Sequence, residues 1–193
     1  MVKEVEIEFK QLVTDKQFQE LVNHFTIDQD TFVEQHNHYL DTKEFLLKEK
    51  KCSVRIREKA ETFTLTLKVP KENAVEETHQ TLSKEDAESV FNQQFTPTVE
   101  MIGALSEFHV TLNDLYHFGT LSTERAYIPF QDGVLFFDKS NYLGETDYEL
   151  EYEASDYQRG KEVFENLLKQ FNIIQTPTDT KVKRFFKKKF PTL

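Results

Sequence analysis

The sequence predicts an α+β fold: an eight-stranded antiparallel β-barrel, closed on itself, with helices packed outside. Three observations carry this expectation. Short segments alternate apolar and polar residues with a period of two, as strands do. Helix-start signals fall between several of those segments. Tight-turn signals join others, and closing the sheet removes the exposed edges that eight strands would otherwise leave.

The elements follow in order. Strands are expected at about 2–11, 32–41, 51–59, 62–70, 75–82, 120–130, 133–139 and 146–153, wherever the alternation holds. Thr14 opens a capping box with Gln17, and Phe18, Leu21, Val22 and Phe25 then follow helical spacing. Ser83-Lys84-Glu85-Asp86 opens a second helix with Ala87, Val90 and Phe91 as its apolar stripe. Thr96-Pro97 reads as a cap before a first-turn proline, followed by Val99, Ile102 and Leu105. A short turn near Thr111–Phe118 is expected to end at Gly119. The last helix starts near Ser155 and carries Tyr157, Val163, Phe164, Leu167, Leu168 and Phe171. Asp132-Gly133 signals a hairpin, and Ser140–Gly144 supports another turn.

The polar faces of the strands are unusual. Glu4, Glu6, Glu8 and Lys10 share one face of the first strand, and Val5, Ile7 and Phe9 the other. Asp147, Glu149, Glu151 and Glu153 form a second acidic row, backed by Tyr148, Leu150 and Tyr152. Arg55 and Arg57 form a basic row, and Thr64, Thr66 and Lys68 another polar one. Buried charge needs partners. If these faces meet inside a curled sheet, the hollow calls for a highly charged ligand and metal ions. Mg²⁺ takes oxygen ligands and is commonly held by one or two carboxylates plus substrate phosphates.

At these residues the chain resembles the CYTH superfamily, the triphosphate tunnel metalloenzymes, in its short bacterial branch. Glu6, Glu8 and Lys10 match the family's N-terminal Glu-x-Glu-x-Lys. Arg55 and Arg57 resemble its Arg-x-Arg strand, Lys68 its lysine strand, and Arg125 its later lone arginine. Asp138 with Glu149 and Glu151 resembles the late acidic set, and Lys181 and Arg184 the C-terminal pair. The resemblance runs over almost the whole chain, in order, and implies an eight-stranded tunnel. The chain departs from the family at Glu76–Thr81, where alternation puts Glu77, His79 and Thr81 on one face, taken as inward. Thr180 also stands where serine is common.

The resemblance implies metal-dependent hydrolysis of a phosphoanhydride in inorganic triphosphate or a small organic triphosphate, nucleoside and thiamine triphosphates included. Lys10, Arg55, Arg57, Lys68, Arg125, Lys181 and Arg184 would hold phosphates, with arginine forks suited to bidentate contacts. Glu6, Glu8, Glu149 and Glu151 would bind one or two Mg²⁺ or Mn²⁺. Asp138 or Glu4 would orient the attacking water. Two other readings stay open: a class IV adenylyl cyclase, and a non-catalytic polyphosphate or nucleotide sensor.

Composition bounds the rest. A chain of 193 residues with 5 Gly and 5 Pro suits a single domain over 1–193 rather than a linker-rich array. The 18 Phe and 7 Tyr suit strand faces packed against helices. No stretch approaches the roughly 18 apolar residues of a membrane span. No apolar leader follows Met1, and a single cysteine, Cys52, cannot pair internally, so a cytoplasmic location is expected. A net charge of −10 argues against non-specific nucleic-acid binding but not against a small polyanion, which responds to the local field. No Walker loop, Gly-x-Gly-x-x-Gly or Gly-x-Ser-x-Gly elbow occurs. His36 and His38 lie at i and i+2 in a strand, but no neighbouring Cys or His completes a zinc set. The basic run Lys187–Lys189 reads as a solvated tail, and Cys52 as structural.

Overall fold

The computed structural model describes residues 3–192. Among them, eight strands close into one antiparallel barrel in the order β1-β5-β4-β3-β2-β6-β7-β8. The strands are β1 (Lys3–Val13), β2 (Val33–Asp41), β3 (Ser53–Lys59), β4 (Thr62–Pro70), β5 (Val75–Leu82), β6 (Tyr116–Phe130), β7 (Gly133–Tyr142) and β8 (Glu145–Ala154). The helices are α1 (Asp15–His24), α2 (Leu46–Glu49), α3 (Lys84–Phe91), α4 (Val99–Ser106), α5 (Tyr157–Gln170) and α6 (Lys181–Lys189). No helix among the described residues is long and apolar enough to cross a membrane.

The chain gathers into two compact units. One holds Gln35–Thr120 with the start of β1 as far as Val5; the other holds Glu6–Glu34 and the chain from Leu121 onward. In the first, Val54 and Ile56 of β3 and Leu65 and Leu67 of β4 are fully buried with Ala87 and Val90 of α3 and Met101 and Leu105 of α4. In the second, Leu135, Phe137, Leu150 and Tyr152 pack with Phe18, Leu21 and Val22 of α1 and Phe164, Leu167 and Leu168 of α5. Strands β3, β4, β7 and β8 thus commit their apolar faces to helices. The alternating residues, which carry the charges, face the other way.

Tight hairpins fix the register. Ala60 and Glu61 have φ of 45° and 63° between the paired Lys59 and Thr62. Leu143 and Gly144, at 47° and 80°, link Tyr142 to Glu145 in the same manner. Two left-handed residues give the turn whose twist matches the strands it joins. The β6–β7 turn is Gln131-Asp132, one residue earlier than the Asp-Gly signal, since Gly133 already pairs with Phe130. Gly160 lets α5 press onto the sheet, because a Cβ there would lie 2.5 Å from the Ala154 side chain and 2.8 Å from the Phe9 ring.

Several boundaries differ from expectation. The α1 and α3 capping boxes form at Thr14 and Ser83. The α4 cap is Thr98 rather than Thr96, and Gln80 Oε1 accepts the Thr98 N–H at 3.0 Å. β6 starts at Tyr116 and runs through Gly119. α2 was not expected; Asp41 accepts from the Leu47 and Lys48 N–H groups at 3.0 and 2.9 Å and so caps it from outside. The basic run to Lys189 is helical as α6, with Phe185 and Phe186 buried on its apolar side.

Candidate functional site

In the second unit, the helix-free faces of β1, β6, β7 and β8 bring most of the charged rows together. Register sets Lys10 opposite Glu151, Glu8 opposite Glu153, and Asp138 between Arg125 on one side and Glu149 on the other. Arg125 Nε donates to Asp138 Oδ1 and its Nη2 to Oδ2, both at 2.6 Å, and Nη2 also reaches Glu151. Its guanidinium stacks 4.5 Å from the Phe136 ring centroid.

α6 adds cations from its first turn. Thr180 caps it by accepting the Lys183 N–H, which starts the helix with Lys181 at its first position. Lys181 Nζ lies 2.5 Å from Glu149, 2.5 Å from Glu151 and 2.8 Å from Asp138. Arg184 donates from Nη1 and Nη2 to the two oxygens of Glu149 at 3.2 and 2.9 Å, and from Nε to Asp147 at 2.8 Å. Lys10 pairs with Glu8 and lies 3.7 Å from Glu151.

Burial works against the charges of Lys10, Arg125, Asp138, Glu151, Lys181 and Arg184, and their partners outweigh it. Asp138, Glu149 and Glu151 are nearly or wholly inaccessible. Despite that burial, Lys181, Arg125 and Lys10 hold the Glu151 carboxyl well below its ordinary value, and Arg125 with Lys181 lowers that of Asp138. The Lys181 and Lys10 ammoniums are in turn raised by the carboxylates around them, again against desolvation.

The exception is Glu153. Burial first, then the charges of Glu6 and Glu8, push its carboxyl up to about 7. Carboxylate oxygens of Glu6, Glu8 and Glu153 come within 4.8 Å of one another, all half-buried. This triad differs from the expected metal set. Of the four residues expected to hold metal, Glu6 and Glu8 lie in this triad. Glu149 and Glu151 instead spend their oxygens on Lys181, Arg184 and Arg125, and Glu153, overlooked in the sequence, takes the place beside Glu8. The signal was present, since Glu153 continues the period-two row of Glu149 and Glu151. Three carboxylates with no softer donor fit a hard divalent cation of the Mg²⁺ or Mn²⁺ kind.

The first unit carries its own polar face. Arg57 Nε donates to Asn37 Oδ1 at 3.2 Å, and Arg55, half-buried on the same face, has its Nε shielded from water with no protein acceptor. β5 turns Glu77 and His79 to the side of Lys68 and Thr66, as register pairs Lys68 with Glu77 and Thr66 with His79. Lys68 and His79 both pair with the buried Glu77, and His79 Nδ1 lies 2.9 Å from the Thr66 hydroxyl. Glu4 is exposed, 3.9 Å from His79 Nε2.

In each unit the helix-free strand faces described above carry ionic rather than apolar side chains. The chain belongs to the CYTH family, whose domain matches residues 4–186. It is 37% identical over 189 residues, 98% of each chain, to the Bacillus subtilis (strain 168) protein named "Putative triphosphatase YjbK". A solved Bacillus halodurans structure described as "a putative adenylate cyclase" superposes with a TM-score of 0.91 at 42% identity, covering 96% of this chain and 100% of that one. A Hippeastrum structure, described as a "putative adenylyl cyclase" that "reveals a dominant triphophatase activity", shares the fold with a TM-score of 0.78 at 22% identity, covering 94% of each chain.

Proposed function

We propose that the protein is a divalent-metal-dependent triphosphatase that hydrolyses a phosphoanhydride bond of inorganic triphosphate or a small organic triphosphate. The observation that carries this reading is the convergence of Glu6, Glu8 and Glu153 in a cluster that remains acid-rich. Around them Lys10, Arg125, Lys181 and Arg184 face Asp138, Asp147, Glu149 and Glu151, so four cations meet seven carboxylates. Such an excess of buried negative charge calls for cations from outside the chain.

In this proposal Glu6, Glu8 and Glu153 hold Mg²⁺ or Mn²⁺, which when bound neutralises phosphate charge and lowers the pKa of water. Arg55, Arg57 and Lys68 are assigned phosphate contacts, and the buried Arg55 Nε without a protein acceptor supports that role for Arg55. Lys10, Arg125, Lys181 and Arg184 exchange carboxylate for phosphate partners as the polyanion enters, and stabilise charge on the leaving oxygen. Glu149 and Glu151, released from them, can complete the oxygen set. Asp138, with both oxygens engaged and no exposure, is assigned to hold Arg125 and Lys181 in place. Orienting the water then falls to Glu4.

A second reading, cleavage of ATP to cyclic AMP and pyrophosphate, is favoured by the description of the Bacillus halodurans relative. Phosphorus NMR of purified protein incubated with metal and tripolyphosphate, thiamine triphosphate or ATP separates the two. Free phosphate from any of the three supports hydrolysis. Pyrophosphate with cyclic AMP supports the cyclase, and tight binding without turnover supports a sensor.

A further inference from the structure

In the second unit, the charged face of β6 and β7 gives way to an apolar shelf beside the acidic cluster. Tyr127 lies two residues beyond Arg125 on β6, and Phe136 two residues before Asp138 on β7. Strand alternation turns all four to the same side. Register sets Tyr127 opposite Phe136, and their ring centroids are 5.8 Å apart with planes tilted by 39°. The Arg125 guanidinium stacks on Phe136 at 4.5 Å and so fixes that ring. Pro129 and Val134, the next pair on this face, lengthen the shelf. Phe136 is half-buried, whereas Tyr127 is 61% exposed.

A lone exposed tyrosine needs no explanation. This one is backed by a second, fixed ring, and both border the proposed metal site. Phe136 pairs with Glu151 and Val134 with Glu153, and Glu153 converges with Glu6 and Glu8. At about 3.3 Å per residue along a strand and about 4.8 Å between strands, the backbones of Tyr127 and Glu153 are roughly 12 Å apart. A sugar or short alkyl linker with its phosphates bridges that separation.

We propose that Tyr127 and Phe136 form a stacking platform for the planar heteroaromatic ring of an organic triphosphate, whose phosphates and metal lie on the neighbouring charged cluster. The inference rests on the triphosphatase reading and narrows its substrate class. Inorganic triphosphate has no group that gains from an apolar shelf. An apolar protein segment laid here would strip water from Glu6, Glu8 and Glu153 without offering a counter-charge. A ring tethered to metal-bound phosphates brings that charge with it. The faces of aromatic rings are negative, so they favour an electron-poor or cationic partner. A nucleobase and the heterocycles of thiamine share this chemistry.

Calorimetric titration of the full chain in Mg²⁺ tests the platform with three probes. Adenosine 5′-(β,γ-imido)triphosphate and thiamine diphosphate carry a ring, and pyrophosphate lacks one. At least one ring-bearing probe should bind more tightly than pyrophosphate. Tyr127→Ala should weaken that probe by about 5–100-fold, the range of base–aromatic stacking, and pyrophosphate by a smaller factor. Tyr127→Phe should restore the affinity, because the ring face rather than the hydroxyl makes the contact. The probe that responds identifies the ring. In the wild-type chain the Tyr127 ring NMR signals should move with that probe and not with pyrophosphate, a readout independent of how any variant folds. Ring-bearing probes that bind no more tightly than pyrophosphate, equal losses for all three in the alanine variant, no loss for any, or unmoved Tyr127 signals would each overturn the assignment. The triphosphatase reading fails separately: tripolyphosphate, ATP and thiamine triphosphate would all stay uncleaved while Tyr127-dependent binding persists.

Discussion

Arg125 and Asp138 face each other across β6 and β7 and close two parallel hydrogen bonds of 2.6 Å, with the Asp138 carboxylate fully buried. Lys181 adds a third cationic contact to the same carboxylate at 2.8 Å. Removing one partner of such a pair leaves the other's charge buried without compensation, which costs about 3–5 kcal/mol. Asp138→Asn keeps the shape and removes the charge. It is expected to lower stability by that order, seen as a fall in the urea midpoint with an unchanged slope. A loss below about 1 kcal/mol would mean that Glu149 and Glu151 hold both cations unaided.

Acid should act on the same cluster. Asp138 and Glu151 are depressed in the folded state by Arg125 and Lys181, although burial opposes it. The stability they contribute is therefore fully present above their unfolded value, near 4, and is lost as pH falls towards the folded one. Urea midpoints measured from pH 6 down to 3 should decline steeply in wild type and less in Asp138→Asn. Equal slopes would place the acid sensitivity in other carboxylates.

Glu153 has the opposite sign. Its folded value of about 7 lies above the ordinary 4.5, so between those pH values the folded protein binds more protons than the unfolded chain. Metal-free protein should lose stability as pH rises through that window, and Mg²⁺ or Mn²⁺ should restore it by replacing the proton as counter-charge. Glu153→Gln should flatten this part of the melting-temperature profile, stabilise the metal-free protein above pH 7 and weaken the cation's effect. A variant that still gains as much from the cation as wild type would move the metal away from this triad.

The strands were legible because their charges and apolar residues largely keep a period of two, most plainly in β1, β3 and β8. What escaped depends on long-range partners. α2 has only four residues and is held by the Asp41 carboxylate from the preceding strand. α6 carries six basic residues in nine, a poor helix signal until Glu149, Glu151 and Asp147 supply counter-charges. The grouping of Glu6 and Glu8 with Glu153 depends on long-range partners too. Alternation places Glu149, Glu151 and Glu153 on one face, but only the pairing of β1 with β8 and the arrival of α6 divide them. Two are occupied by cations and one stands beside Glu6 and Glu8.

Arg55 separates a phosphate role from a structural one. Its buried Nε has no protein acceptor, so Arg55→Lys removes no internal hydrogen bond at that atom. It does remove the planar fork that binds two phosphate oxygens at once. Losing a charge-assisted bond of about 1.5–3 kcal/mol corresponds to a fall in kcat/KM of about 10–100-fold. The melting temperature should move by no more than a few degrees. Unchanged kinetics with tripolyphosphate would remove Arg55 from the phosphate set.

Cys52 offers a test that does not depend on any substrate. It stands just before β3, buried in the first unit's core at 6% exposure. Burial, then the charge of Asp41, pushes its thiol up to about 11. At pH 8 only about one molecule in a thousand then carries the thiolate, against roughly a quarter for a free cysteine near 8.5. Thiolate is the reactive form, and the folded core also blocks the reagent's approach. Alkylation of the native protein by iodoacetamide at pH 8 should therefore be at least about a hundredfold slower than in 8 M urea, after allowing for the higher intrinsic nucleophilicity of a high-pKa thiol. Mass spectrometry at timed quenches gives both rates from one preparation. Native labelling within about tenfold of the unfolded rate would show that the α2–β3 corner opens readily. In that case the core around Val54 and Leu47 is not the rigid base from which Arg55 and Arg57 are presented.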